Sequence, residues 1–196
     1  MLLELSALLP LLNTCQSQVD ASILKRLIDN ESSRNPYAIA VIGAKAVNQP
    51  DNLEDALHIV SDLDKGGFNY SLGLMQINKK NFPAYGLTVE KAFDACTNIE
   101  VGADIYAQCY HRAQKQSPDK SHQQLLDDAA SCYYSGNFSR GYQKEGSKQV
   151  SYVEKFNRAE KLPSKKIAES YDSVESPQPT SPKQTHSWDV FGDFSY

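Results

Sequence analysis

The 196-residue sequence has no run of about 18 apolar residues, which excludes a helical membrane span on length. It also has little net charge. Twenty Lys and Arg stand against 24 Asp and Glu, a balance of -4, and the basic residues are scattered along the chain. Polyanion binding needs a concentrated basic field, so nucleic acid is not indicated as a partner. Cys15, Cys96, Cys109 and Cys132 lack CxxC spacing, and His58, His111, His122 and His186 do not cluster with them. A metal site is therefore not expected, and no cofactor is implied. No internal repeat is visible.

What is present suits one domain with a modest appendage, since 40% hydrophobic residues over this length can fill one core. Residues 1–14 form an apolar stretch that carries Glu4 and lacks the basic flank and small-residue cleavage site of an export signal. Two readings stay open for it: a helix packed on the domain, or a degenerate signal. The domain itself is expected over residues 15–160.

Asp20 can cap a helix in which Ile23, Leu24, Leu27 and Ile28 recur at helical spacing, with Glu31 continuing that face. From Asn35 to Tyr70 the pattern is irregular, with a helix expected from Leu53 to Leu63 and loops or a small β-hairpin around it. Thr97 with Glu100 makes a capping-box signature ahead of Ile99, Gly102, Ala103, Tyr106, Ala107 and Tyr110. Ser121 with Gln124 repeats the signature before Leu125, Leu126, Ala129, Ala130 and Tyr133, and Ser147 can cap a last helix ending near Glu160.

If residues 98–109 are one helix, Cys96 and Cys109 stand roughly 20 Å apart at about 1.5 Å per residue, too far to bridge. Two connectivities remain, Cys15 with Cys96 and Cys109 with Cys132, or Cys15 with Cys109 and Cys96 with Cys132. The first joins two helices directly and is preferred. Disulfides are favoured over four buried thiols, which implies an oxidising compartment. Residues 161–196 shift to Ser, Pro, Gln and Lys, as in a disordered tail, and end in an aromatic cluster around Trp188 that reads as a docking peptide or a strap on the domain.

Three segments stand out together: Glu31-Ser32 at a helix end, Gly73-Leu74-Met75-Gln76-Ile77-Asn78, and Cys132-Tyr133-Tyr134-Ser135-Gly136-Asn137. In this order, with Asn35-Pro36 and Thr97-Asn98-Ile99 leading into Gly102-Ala103, they resemble the goose-type-lysozyme-like lytic transglycosylases over roughly residues 15–160. The branch encoded with type IV secretion systems is the most similar, through Cys15, Asn69-Tyr70-Ser71-Leu72, Tyr133 to Phe138 and the Trp188-Asp189-Val190-Phe191-Gly192 tail. Tyr134 and Ser135 depart from the family, which commonly has Asn and Ala there. The resemblance implies a mainly α, lysozyme-like α+β fold: a helical bundle with a small loop or β-hairpin region and a substrate groove. It also implies a periplasmic protein acting on peptidoglycan glycan strands, with envelope secretion-machinery proteins as partners of the tail.

The chemistry can be reasoned from the residues. Cleaving a glycosidic bond requires an acid that stays protonated near neutral pH, and a carboxyl beside apolar groups has that property. Glu31 at the end of an apolar stripe is the candidate catalytic residue. No second carboxylate belongs to the motifs, although Asp62 and Asp64 beside the Gly66-Gly67 turn could supply one. The resemblance implies that Glu31 first protonates the bridging oxygen and then deprotonates the sugar 6-hydroxyl, giving a 1,6-anhydro product without water.

Gln76 would offer an amide to sugar substituents, Met75 an apolar wall or core packing, and Tyr133 a phenol that positions Glu31 or a sugar. Tyr134 and Tyr152 are candidate cleft tyrosines or core aromatics. Ser32 would brace the Glu-bearing turn, because no His or Asp accompanies it as a nucleophile would need. The same fold and the same Glu31 would also serve a hydrolysing muramidase, and a catalytically silent wall-binding assembly factor is the alternative outside enzymes.

Overall fold

The computed structural model describes residues 2–43 and 46–159. The tail motif expected after residue 160 lies outside them. Eight helices and one three-stranded sheet make up the described fold. Helix α1 (Leu5–Thr14) buries Leu8 and Leu12 completely, so the apolar stretch ahead of Cys15 packs as a helix of the domain. Its chain is fixed at both ends, by the Leu3 N–H donating to the Arg34 carbonyl at 2.9 Å and by a disulfide from Cys15 to Cys96.

Asp20 caps α2 (Ala21–Glu31), accepting from the Ser22 N–H at 2.7 Å. The apolar stripe buries as expected at Leu24, Leu27 and Ile28, and two cations that no hydrophobic pattern reveals are buried beside it. Lys25 bonds Asp29 at 2.7 Å, one helical turn away. Arg26 lies 3.8 Å over the Phe156 ring and donates to Asn157, which fastens α2 to the end of the domain.

Strands β1 (Ile39–Val41), β2 (Tyr70–Leu72) and β3 (Ile77–Asn78) form an antiparallel sheet in that order, with Ile39 opposite Leu72 and Leu72 opposite Ile77. Helix α3 (Leu53–Lys65) connects β1 to β2, so the hairpin is β2-β3 and its turn is the Gly73 to Gln76 segment. The Gln49 side chain gives and receives a 2.9 Å hydrogen bond at Ile39, covering part of the open sheet edge.

The short helices α4 (Phe82–Tyr85) and α5 (Val89–Phe93) lead to α6 (Ala95–Gln116), the longest element. Its cap differs from the sequence expectation. Asp94, not Thr97, is the N-cap, and its carboxylate accepts from both the Thr97 N–H and hydroxyl. A carboxylate reaches N3 as well as a hydroxyl does, and starting one turn earlier lets Ile99 pack wholly in the core.

Helix α7 (His122–Ser135) has the expected Ser121 and Gln124 capping box. The last helix, α8 (Tyr152–Arg158), is capped by Ser151 with Glu154. Ser147 instead sits in a tight exposed loop closed by the Glu145 and Val150 pairing, which corrects the expected start of this helix. The second disulfide joins Cys109 on α6 to Cys132 on α7, so the preferred pairing is the one found.

Candidate active site

Glu31 ends α2, one turn beyond the fully buried Leu27 and Ile28. Its Oε1 accepts a 2.5 Å hydrogen bond from the Tyr152 hydroxyl, contributed by α8. Burial pushes the carboxyl from 4.5 up to about 7, against the opposing pulls of the Tyr152 hydrogen bond and the Lys155 ammonium. Among the described residues no carboxylate is one of the groups that shift it.

The chain turns sharply after Glu31. Ser33 and Arg34 both take left-handed conformations, with φ of 51° and 69°, which non-glycine residues adopt only when the surroundings hold them. Ser32 does that holding: its hydroxyl donates to the Ile28 carbonyl and accepts from the Arg34 N–H. The structure thus places Ser32 as a brace of the turn.

Gly73 to Gln76 forms a second constrained turn, seated on α6. Asn98 is buried, accepts from the Met75 N–H at 2.7 Å and donates to the Leu72 and Ala92 carbonyls. Gly73, at φ +80°, lies so close that a Cβ would stand 2.3 Å from Asn98 Nδ2, and one on Gly102 would stand 2.6 Å from Met75 Cβ. Met75 itself is fully buried, so its side chain belongs to the core beneath the turn and offers no exposed wall to a sugar. Gln76 is partly exposed and left-handed at φ 51°. Its amide NH₂ donates to the Ala38 and Gly73 carbonyls, which turns Oε1 the other way as an acceptor.

Tyr133 ties the third motif to the second, donating to the Met75 carbonyl at 2.5 Å. Its phenol is pushed well above its usual pKa of 10 by burial first and by the Glu31 charge second. Glu31, Tyr133 and the 75–76 backbone therefore meet in one place, as the motif order suggested. The phenol that bonds Glu31 is nevertheless Tyr152, and Tyr133 holds the turn. Tyr134 stacks on Tyr152, centroids 4.6 Å apart and planes 12° apart, while its hydroxyl donates to Glu145 at 2.7 Å.

The two aspartates weighed as a second acid are engaged elsewhere. Asp64 bonds the Tyr70 hydroxyl and Lys79, and the exposed Asp62 pairs with Lys65. Among the described residues two hollows of similar size lie apart from Glu31, which lines neither. One of about 390 Å³ lies beside Tyr85 and Asp104. The other, about 410 Å³, lies beside Glu145 and Lys155.

Sequence reasoning passed over Asn98 as a support, Lys155 as the nearby charge and Glu145 as the partner of Tyr134. The first two carried a signal: Asn98 stood inside a quoted motif, and Lys155 follows Tyr152 at i+3. Glu145 is in an irregular loop and carried none.

The model of the Transglycosylase SLT domain matches residues 11–153, most of the chain and every residue of this site except Lys155. The chain belongs to the SLT transglycosylase family. Among its relatives, the type IV secretion system protein virB1 of Brucella suis biovar 1 is 40% identical over 161 residues, covering 82% of this chain and 66% of the relative. The protein of the same name from Brucella abortus biovar 1 is 41% identical over 148 residues, 75% of this chain and 61% of the relative. Protein virB1 of Agrobacterium fabrum is 28% identical over 181 residues, 92% and 68% respectively. The chain thus spans about two thirds or less of the length of the Brucella relatives. No solved structure matches it significantly. Glu31, Gln76, Tyr133 and Tyr152 all lie within the matched SLT region.

Proposed function

We propose that this SLT domain is a peptidoglycan lytic transglycosylase that cuts the β-1,4 bond between N-acetylmuramic acid and N-acetylglucosamine, with Glu31 as both acid and base. One observation carries the proposal: a half-buried carboxyl, raised to about 7 and held by Tyr152, with no carboxylate among the described groups acting on it.

Protonated Glu31 gives its proton to the bridging oxygen as that bond breaks, and the sugar's own N-acetyl oxygen stabilises the cationic C1. The resulting carboxylate then takes the proton of the 6-hydroxyl while O6 bonds to C1. Glu31 ends protonated, no water is consumed, and a 1,6-anhydro ring closes the product. An ordinary retaining or inverting glycosidase would need a second carboxylate for nucleophile or base. Gln76 Oε1 is the acceptor for a sugar hydroxyl or amide N–H, and Tyr134 offers a ring face to the glycan.

Mass analysis of products from isolated wall tests the reaction. The expected products end in 1,6-anhydromuramic acid; reducing ends would instead make the chain a hydrolysing muramidase. Glu31→Gln should lower the rate about a thousandfold, the scale of a lost general acid. Wall binding with equal, negligible degradation by both forms would point to a scaffolding protein.

The names of the relatives support a role in opening the wall for a type IV secretion apparatus in the periplasm. In that role residues 161–196 engage the apparatus, and deleting residues 170–196 should leave activity on isolated wall unchanged while reducing secretion.

A further inference from the structure

The hollow of about 410 Å³ is lined by Lys148, Lys155 and Arg158 against a single carboxylate, Glu145. Glu145 already accepts the Tyr134 hydroxyl. Among the described residues the side chains of the three cations make no salt bridge or hydrogen bond, although Arg158 acts on Glu154 and Lys155 on Glu31 at longer range, on a chain whose overall balance is -4. A concave surface with concentrated positive charge draws anions and holds them best where several charges converge. Lys148 is presented by the tight loop that the Glu145 and Val150 pairing closes, and Lys155 and Arg158 by consecutive turns along α8.

The position of the hollow says what the anion is. Lys155 follows Tyr152, the residue that bonds Glu31, by three positions, a rise of about 4.5 Å along the helix. Glu145 is joined to the same place through Tyr134, which stacks on Tyr152. Lys155 and Glu145 thus connect the hollow to the Glu31 site, the first by its charge on Glu31 and the second through Tyr134. In peptidoglycan, the group that leaves the glycan there is the peptide stem, attached through the lactyl ether at C3 of the muramic acid ring, two ring carbons from the bond that breaks. Such stems carry more carboxylates than ammonium groups, matching three cations and one carboxylate.

Resting on the transglycosylase reading, we propose that this hollow binds the carboxylates of the peptide stem on the muramic acid residue at the cleavage point. The site makes the domain selective for peptide-bearing strands, and Lys148 and Arg158 set that selectivity without touching the reacting atoms. Lys155 is left out of the test because it also acts on Glu31.

The test compares soluble glycan strands bearing intact stems with the same strands after carbodiimide conversion of the stem carboxylates to amides. A K148Q/R158Q chain should show a KM raised about five- to tenfold on intact strands, from two exposed charged contacts, with kcat unchanged. On amidated strands it should match the parent. Equal effects on both substrates, or no effect on either, would overturn the proposal. Calorimetry of the free tetrapeptide stem with E31Q, and with E31Q carrying the double substitution, reads the hollow without catalysis. Binding weakened by the double substitution and by salt supports the site, whereas equal binding or none by both refutes it. If the parent cleaves neither strand, the transglycosylase reading fails, and the calorimetry still decides the hollow.

Discussion

The Glu31 carboxyl is pulled in two directions, and burial wins. The hydroxyl of Tyr152 and the ammonium of Lys155 favour the anion, yet the net position is about 7. Hydrogen bonding to the charged form lowers an acid's pKa, so Tyr152→Phe should move the alkaline limb of the pH-rate profile up by about one unit. A limb that stays in place would mean that Tyr152 does not govern the acid.

The same displacement sets a stability dependence. Below 4.5 Glu31 is protonated folded or unfolded and contributes nothing. Between 4.5 and about 7 the unfolded chain releases a proton that the folded chain keeps, so stability falls as pH rises and levels off above 7. The whole cost is about 3 kcal/mol at 1.36 kcal/mol per unit. Glu31→Gln should therefore unfold at higher denaturant than the parent at pH 8, with the advantage vanishing near pH 4. An equal advantage at both values would assign the effect to something other than ionisation.

At the scale of elements, the Gly73 to Gln76 turn is seated on α6 through Asn98. Gly73→Ala combines a left-handed conformation with a collision against Asn98 and the Ala92 carbonyl, and should cost about 3 kcal/mol in chemical denaturation. Gly67→Ala is also left-handed at φ +70° but meets nothing within 4 Å, so about 1 kcal/mol is expected there. Similar losses at both sites would show that the seat on α6 is not what holds the turn.

The elements were legible where periodicity and caps agree: α2 behind Asp20 and α7 behind Ser121 stand where the sequence puts them. They were misplaced where two caps compete. Thr97 and Ser147 each have the right chemistry, but Asp94 and Ser151 are the capping residues, and choosing between neighbours depends on which start packs the helix into the core. The hairpin was foreseen only loosely because two- and three-residue strands carry no countable alternation. Glu31 and the ordered motifs were readable as sequence. The assignment of phenols was not, since Tyr152 reaches Glu31 only through the packing of α8 on α2, which local pattern does not encode.

Across the whole molecule, two disulfides fasten distant parts of one core. Cys15 to Cys96 spans 81 residues and Cys109 to Cys132 spans 23. Loop-closure entropy assigns them about 4.5 and about 3.4 kcal/mol. Replacing Cys15 and Cys96 together by serine should lower the denaturation midpoint more than replacing Cys109 and Cys132. The reverse order would mean that tying α6 to α7 matters more than closing the long loop.

The hydrogen bond from Tyr152 to Glu31 joins residues 121 positions apart, so the setting of this carboxyl is complete only once nearly the whole domain has been made. During synthesis Glu31 leaves the ribosome long before the helix that encloses it exists. An unfinished or prematurely terminated chain carries an ordinary solvated carboxyl that has already lost its proton at neutral pH. On the proposed mechanism, a chain that stops short of α8 therefore lacks the raised acid that the complete domain holds.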